Sequence, residues 1–256
     1  ELELITEEHD QMYLLIENAI RGGVSMIAHR HAVANNGVGR DPSKPASYLA
    51  YWDANNMYGW AMSQSLPTGG FRWLDDVEVN SFKPEKILNL DDDADTGYIF
   101  EVDLEYPKHL HELHNSLPLA PEKVTVSKDM YSRYSASFKQ DFVSTEKLIP
   151  TLANTSNYVT HYRNLKFYIE HGLVVTKIHR ILSFSQSSCM RHHIEHNTEN
   201  RKRATDDFEK DFFKLMNNAV FGKSIENVRS RVDVKLVSKA YRLKKLAAKP
   251  TYKFSA

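Results

Sequence analysis

Apolar residues recur at every third or fourth position along several stretches of this chain, the spacing that places them on one face of a helix. Helices are therefore predicted at residues 7–20, 56–65, 157–172, 198–227 and 239–248. The pattern over 198–227 is the strongest of these and predicts one continuous helix. The glycine pair Gly22-Gly23 follows the first stretch and is a typical helix stop.

Other stretches are rich in β-branched and aromatic residues, or alternate between apolar and polar positions, which predicts strands. They are residues 48–53, 96–107, 173–184 and 232–237. Strands and helices follow one another without a regular β-α-β rhythm, so the predicted fold class is α+β. The acidic segment 75–97 is predicted to be an exposed excursion.

The length of 256 residues suits one large domain or two small ones, and 41% hydrophobic residues are enough for a core. No run of about 18 apolar residues occurs, so no membrane contact is expected. The single cysteine, Cys189, excludes an intrachain disulfide and fits an intracellular location, nuclear or cytoplasmic. The acidic start lacks a signal-peptide pattern, and the sequence is expected to begin inside a longer protein.

Charge changes this picture, because the two signs are concentrated in different segments although the net charge is zero. Residues 75–105 hold eleven acidic residues against two lysines, and residues 229–253 hold nine basic residues against one acid. The basic segment is a candidate phosphate-binding surface, with Arg229 and Arg231 as candidate contacts to a nucleic-acid backbone. The alternative is a solvated face or tail.

A stripe of lysines runs along the long helical pattern. Its members, spaced by eight or four residues, are Lys202, Lys210, Lys214, Asn218 and Gly222. Ammonium groups held along one rigid helix suit a polyphosphate, and a glycine there lets a flat ligand approach the backbone. An ordinary solvated helix face is the alternative. Four apolar residues lie mostly away from this stripe and are predicted to pack: Phe208, Phe212, Phe213 and Leu215.

The predicted strand at 48–53 ends in a carboxylate, Asp53, and a sharp polar turn follows at once. The sequence from there reads Asp53-Ala54-Asn55-Asn56-Met57-Tyr58-Gly59. A carboxylate at a strand end projects from a stiff support, which suits a metal ligand. For Tyr58 alone, a simple core aromatic is the alternative interpretation.

Together these stretches resemble the family B DNA polymerases, closest to the protein-primed branch of viruses and self-replicating DNA transposons. The segment Asp53–Gly59 is similar to the first catalytic motif, although Asn56 stands where serine is typical and Gly59 where proline is typical. Lys214, followed by Asn218-Ala219-Val220-Phe221-Gly222, is similar to the second, with alanine for serine and phenylalanine for tyrosine. Gly22-Gly23 resembles a glycine pair that contacts the template strand.

The resemblance implies a palm-like antiparallel sheet with helices over residues 1–150 and helical fingers over 151–256. It implies DNA synthesis on a primer–template from deoxynucleoside triphosphates, with two Mg²⁺ ions, Asp53 as a ligand, and possibly a terminal priming protein. The backbone of Ala54, Asn55, Asn56 and Met57 would face the triphosphate. Tyr58 would exclude a 2′-hydroxyl, and Lys214, helped by Lys210 and Lys202, would bind the β- and γ-phosphates.

One expected part is not found. The third motif of the family, Asp-Thr-Asp, has no match after residue 222, and Asp93-Ala94-Asp95-Thr96 precedes the second motif. Asp103 would approach Asp53 if their two strands paired; the alternative is a structural carboxylate. The sequence is therefore interpreted as an incomplete catalytic core, expected to be nearly inactive alone.

Three further interpretations stay open. Cys189, His192 and His196 have zinc-ligand spacing, but surface histidines are the favoured interpretation for them and for His109, His111 and His114. The chain could be a non-catalytic nucleic-acid-binding remnant of a mobile-element polymerase. A Mg²⁺-dependent nuclease built on the acidic strands is a third hypothesis, disfavoured by the lysine–asparagine–glycine stripe.

Overall fold

The computed structural model describes residues 2–3, 5–6, 9–22, 24–138, 144–224, 233–250 and 252. Six strands and ten α-helices form in this part of the chain, besides short 3-10 turns at Lys108–Leu110 and Lys128–Met130. In chain order they are α1 (Asp10–Ala19), α2 (Met57–Met62), β1 (Leu66–Trp73), α3 (Asp76–Ser81), α4 (Pro84–Leu88), β2 (Thr96–Glu105), α5 (His111–His114), β3 (Glu122–Val126), α6 (Arg133–Phe138), β4 (Thr145–Ile149), β5 (Thr155–His161), α7 (Tyr162–Glu170), β6 (Val174–Ser187), α8 (Arg191–Arg203), α9 (Asp207–Ser224) and α10 (Ala240–Ala247).

The main sheet has four antiparallel strands in the order β1-β6-β2-β5, and β3 and β4 form a separate antiparallel pair. The predicted α+β fold is confirmed. Strand β2 lies inside the sheet because it pairs with β5 on one side and with β6 on the other. Its pairing with β6 runs from Thr96 opposite Ser185 to Glu105 opposite Val174. Residues after 151 thus contribute β5 and β6 to the same sheet as β1 and β2.

The alternation along β2 builds a core on each side of the sheet. Phe100, Val102 and Leu104 point to one face, where residues from α3, α4 and α7 bury against them. Ile99 points to the opposite face and packs with Met12 of α1. Each face of the sheet therefore has its own helical cover.

The acidic segment 75–97 is not an exposed excursion, contrary to the prediction. Its acids lie at the surface or cap helices, while Val79, Phe82 and Ile87 are buried against the sheet. The Asp75 side chain accepts a hydrogen bond from the backbone N–H of Glu78 at 2.8 Å, and the Glu78 carboxylate accepts one from the Asp75 N–H at 3.0 Å, a capping box that starts α3.

Other element predictions are corrected by local chemistry. Residues 157–161 belong to β5, and the helix starts only at Tyr162, where Nδ1 of His161 accepts a hydrogen bond from the Arg163 N–H at 3.4 Å. The predicted helix 198–227 is two helices, α8 and α9. Residues 233–237 form no strand; residues 225–227 and 232 lie outside the described part.

The chain divides into two compact units, Glu1–His196 and Asn197–Ala256. The first holds both sheets and their helical covers. The second holds the end of α8, together with α9 and α10.

Candidate functional site

The segment that ends in Asp53 lies at the surface and joins no strand ladder, so the predicted strand at 48–53 is wrong. Tyr51 and Trp52, just before Asp53, are 95% and 89% exposed. The two neighbours of β2 are β5 and β6, which leaves no pairing position beside it for this segment. Asp53 and the following Ala54–Met57 are exposed in a loop and the first turn of α2.

A left-handed residue turns this loop into α2. Asn56 has φ 55° and ψ 39°, a conformation that asparagine tolerates better than most residues. Its carbonyl accepts a hydrogen bond from the Trp60 N–H at 3.0 Å, and its side chain lies over Gly59, which is buried. Asn56 and Gly59, the two departures from the family motif, thus fit each other.

The far end of α2 is tied to other helices of the first unit. The Arg191 guanidinium of α8 donates a hydrogen bond to the carbonyl of Ser63 at 3.0 Å. Arg163 of α7 donates from two nitrogens to Oε1 of Gln64, each at 3.5 Å. These contacts fix the end of α2, so the turn that carries Asp53 enters an anchored helix whose Tyr58 side chain is 61% exposed.

The stripe of the second motif lies on α9. Lys214, Asn218 and Gly222 follow one another every four residues, so they share one face over about 12 Å of helix axis. Lys214 is exposed and Asn218 is half-buried, and among the described residues no neighbouring atom lies within 4 Å of where a β-carbon on Gly222 would project. Lys210, one turn earlier, forms an ion pair with Asp207 at 3.3 Å.

Lys202 does not belong to this stripe, because it lies on α8 and residues 204–206 separate α8 from α9. The break has a local cause: Oδ1 of Asp206 accepts a hydrogen bond from the Glu209 N–H at 2.8 Å and caps a new helix.

The four apolar residues predicted to pack away from the stripe do so only in part, and three of them do not pack. They are exposed side chains: Phe208, Phe212 and Leu215. Phe213 is half-buried beside Phe212, with ring centroids 5.3 Å apart.

Asn217, next to the predicted Asn218, is a residue that sequence reasoning missed. It is buried, its Oδ1 accepts from Nδ2 of Asn197 at 3.0 Å, and its own Nδ2 donates to Oγ1 of Thr198 at 3.4 Å. It therefore joins α9 to α8 within the second unit. The sequence could have indicated this through helical periodicity, since neighbouring residues on a helix point about 100° apart and Asn217 therefore points away from the stripe that contains Asn218.

Arg21 is a second missed residue, directly before the predicted glycine pair. Its guanidinium lies 3.9 Å from the ring centroid of Tyr158 and donates to the carbonyls of Val159 and, at 3.1 Å, Pro121. Arg21 also forms an ion pair with Glu122 at 3.6 Å. Burial raises the pKa of the Glu122 carboxyl. Gly22 follows Arg21 directly and is exposed, so it lies next to this anchored position just after α1.

The predicted DNA contacts Gly23, Arg229 and Arg231 lie outside the described residues. The hypothesis that Asp103 approaches Asp53 by strand pairing is wrong. Oδ1 of Asp103 accepts from Nε2 of His179 at 2.7 Å and from the Asn157 N–H at 2.9 Å, and the first of these bonds chiefly lowers the pKa of Asp103. Asp103 is a structural carboxylate.

The histidines predicted to lie at the surface include two with defined partners. Two histidines of the HLHELH segment bind Tyr106: Nδ1 of His114 lies 2.7 Å from its hydroxyl, and Nε2 of His111 lies 3.2 Å from its carbonyl. Within the described ranges, no group of three or more histidine, cysteine, aspartate or glutamate side chains is arranged to hold a metal ion.

A family model of DNA polymerase type B, organellar and viral, matches residues 4–234. The chain belongs to this family. The matched range includes both the Asp53–Gly59 and the Lys214–Gly222 motifs, and it ends before α10. No curated protein and no solved structure gives a significant match to the chain.

Membership of the type B DNA polymerases places the chain among nucleotidyltransferases that synthesise DNA in replication. Such polymerases act on a DNA primer–template with deoxynucleoside triphosphates and typically use divalent metal ions. None of the helices in the described part of the chain is both long and apolar enough to span a bilayer.

Proposed function

We propose that this chain carries the nucleotide-binding part of a template-directed DNA polymerase, with a deoxynucleoside triphosphate held by the Asp53 turn and by α9. One observation carries the proposal: a single polymerase family model covers both motifs. The local structure supports it, because both side chains are exposed, Asp53 in the turn that leads into α2 and Lys214 on α9.

The contribution of α9 would be electrostatic. Lys214, exposed on the same face as Asn218 and Gly222, would neutralise the β- and γ-phosphates, while the open surface at Gly222 leaves room for a flat group. Lys210 would contribute less, since Asp207 already pairs with it. Lys202 stays a weaker candidate, because it is on a different helix.

Mg²⁺ is the ion that this donor set would suit. It is usually bound by one or two carboxylates together with substrate phosphates and water, and the exposed Asp53 supplies one carboxylate. When bound, the ion would neutralise charge on the phosphates. The two-ion arrangement needs another carboxylate, and no Asp-Thr-Asp motif follows residue 222. Asp53 would thus fit one nucleotide-borne ion, and a pair of ions would require a second carboxylate beside it.

Tyr58 would select the sugar. Its side chain stands in the first turn of α2, five residues after Asp53, and α2 is anchored through Ser63 and Gln64. A ring on such a support would leave no room for a 2′-hydroxyl, and exclusion by a clash discriminates without requiring a tight contact. Protein priming by a terminal protein is a further part of the proposal that the branch resemblance motivates.

The experiment compares primer extension by the full polymerase that contains these residues with extension by its Asp53→Asn variant. We expect extension to fall by at least about a hundredfold while DNA affinity is nearly unchanged, because the carboxylate acts only on the nucleotide and its ion. Lys108→Ala, an exposed lysine far along the chain from both motifs, is the matched control and should extend normally. Unchanged extension by Asp53→Asn would remove Asp53 from the site.

A non-catalytic nucleic-acid-binding remnant is the second candidate function, favoured by the exposed basic side chains of α10, which would contact phosphate without any catalytic carboxylate. The two candidates separate on nucleotide binding by the 256-residue chain with primer–template. A polymerase core binds the matched nucleotide more tightly when Mg²⁺ is present, and Lys214→Ala weakens that binding. A remnant binds DNA with no Mg²⁺-dependent nucleotide affinity.

A further inference from the structure

The helix α10 carries a strongly basic surface. It runs from Ala240 to Ala247, with Lys239 as its N-cap, and the following Lys249 N–H donates to the carbonyl of Leu246 at 3.1 Å. The basic side chains of this helix and its two ends are all exposed: Lys239, Arg242, Lys244, Lys245 and Lys249. The sequence after Asp233 contains no acidic residue, so this segment supplies no countercharge of its own.

Three of these cations form a line. Arg242 and Lys245 are three residues apart and share one face of α10, and Lys249 follows directly after the C-cap Ala248, so at helical rise the three span about 10 Å. Duplex DNA carries one negative charge per about 1.7 Å of its axis, so about six phosphate charges lie along the same length. One strand alone carries one charge per about 3.4 Å, or about three over this length, so the three cations match the single strand that they would face.

The other face of α10 argues against a lipid surface. It consists of Leu243, Leu246 and Ala247, and Leu246 is already half-buried. Helices that lie in a membrane interface expose a broad apolar face with large side chains, and they are commonly much longer than eight residues. A phosphate backbone in water requires only the exposed cations.

A base-reading or single-strand role is disfavoured as well. Binding of single strands uses several aromatic side chains on which successive bases stack. In α10 the exposed aromatic side chain is Tyr241, beside the five basic side chains of the helix and its two ends. Lysine ammonium groups are point charges that suit phosphate oxygens without regard to sequence.

We propose that α10 is a sequence-independent clamp for the backbone of duplex DNA, with Arg242, Lys245 and Lys249 as its phosphate contacts. This surface lies beyond residue 234, where the family match ends, and is separate from the nucleotide site on α9. The choice of duplex DNA rests on the proposed DNA synthesis. The charge line itself does not depend on Asp53 or Lys214.

The test measures affinity of the 256-residue chain for a short labelled duplex of mixed sequence between about 50 and 200 mM NaCl. Substitution of all three residues, Arg242→Gln, Lys245→Gln and Lys249→Gln, should reduce the slope of log K against log salt by about 2.7, since each phosphate contact contributes about 0.9. The conservative pair Lys245→Arg with Lys249→Arg should keep the original slope.

The matched control neutralises three exposed lysines elsewhere, Lys83→Gln, Lys128→Gln and Lys147→Gln, and should leave the slope unchanged. An unaltered slope in the α10 variant, or an equal loss in the control, overturns the clamp. So does a loss of binding to phosphatidylserine-rich vesicles with duplex binding intact. Failure of the proposed nucleotide site would show instead in Lys214→Ala, whose nucleotide affinity is measured separately.

Discussion

The side chain of Asn56 lies where a β-carbon on Gly59 would project. Such a carbon would come within 2.6 Å of Cγ of Asn56 and would also meet Oδ1 and Nδ2, closer than β-carbons approach in proteins. Gly59 lies within α2 and its backbone conformation is ordinary, so only this neighbour requires glycine. The pair explains how this motif keeps a tight turn without the proline that its family usually has.

The sign of a Gly59→Ala substitution should therefore depend on residue 56. In the native chain we expect a loss of about 1–3 kcal/mol in the free energy of unfolding, as overpacking usually costs. In an Asn56→Gly background the clash is gone, and the same substitution should stabilise by up to about 1 kcal/mol through helix propensity. Urea denaturation of the four proteins measures this. Equal effects in both backgrounds would contradict the contact.

His161 adds a dependence on pH. Burial, with a smaller effect of the nearby Arg163, lowers the pKa of His161 from 6.5 to about 4. The unfolded chain thus binds a proton at a higher pH than the folded one. The stability that this pKa difference contributes is fully present above about pH 6.5 and is lost progressively as the pH falls toward 4.

Between about pH 7.5 and pH 5, we expect the native chain to lose about 2 kcal/mol more unfolding free energy than His161→Asn. Asparagine keeps a helix-capping side chain at this position but does not titrate. Denaturation at both pH values gives the comparison, and other titrating groups cancel between the two proteins. Parallel pH profiles would exclude His161 as the cause.

At the scale of single residues, the sequence indicates the motif residues but not the residues whose contacts fix the surrounding elements in place. Asp53, Lys214 and Gly222 are predicted because spacing and resemblance mark them, and their roles stay predictions. Arg21 and Asn217 were missed because their importance comes from partners distant in sequence, such as the carbonyls of Val159 and Pro121. No local pattern marks a contact of that kind.

Among elements, the predictions succeeded where local pattern and tertiary packing agree. Strand β2 alternates along its length and is covered on both faces, and it forms as predicted. Residues 48–53 and 233–237 have equally apolar sequences but join no ladder, because a strand needs a partner with free edge bonds. The Asp75–Glu78 capping box and Asp206 were local signals that marked helix starts and were overlooked.

The helices α8 and α9 offer a test that separates support from ligand binding. Asn217→Ala removes the acceptor of the Asn197 bond, so we expect a loss of about 1–3 kcal/mol in unfolding free energy with native nucleotide affinity retained. Asn218→Ala should change stability by less than about 0.5 kcal/mol but weaken nucleotide binding. Thermal unfolding and nucleotide titration of both variants decide; exchanged outcomes would assign the motif asparagine to packing.

For the whole molecule, the sequence predicted the fold class and the family, and both are confirmed. The split of the strongest helical pattern and the boundary between compact units at His196 were not predicted, since they depend on which contacts cluster in space. That Asp53 and Lys214 act on one nucleotide stays a prediction.

A double-mutant cycle tests that claim directly. Nucleotide dissociation constants are measured with Mg²⁺ and primer–template for the native chain, Asp53→Asn, Lys214→Ala and the double variant. If both residues act on one triphosphate and its ion, removal of either changes what the other contributes, and the coupling should be about 1 kcal/mol or more. Asp53→Asn combined with Lys108→Ala should be additive within about 0.5 kcal/mol. Additivity in the Asp53–Lys214 pair as well would mean that the two motifs do not share a nucleotide.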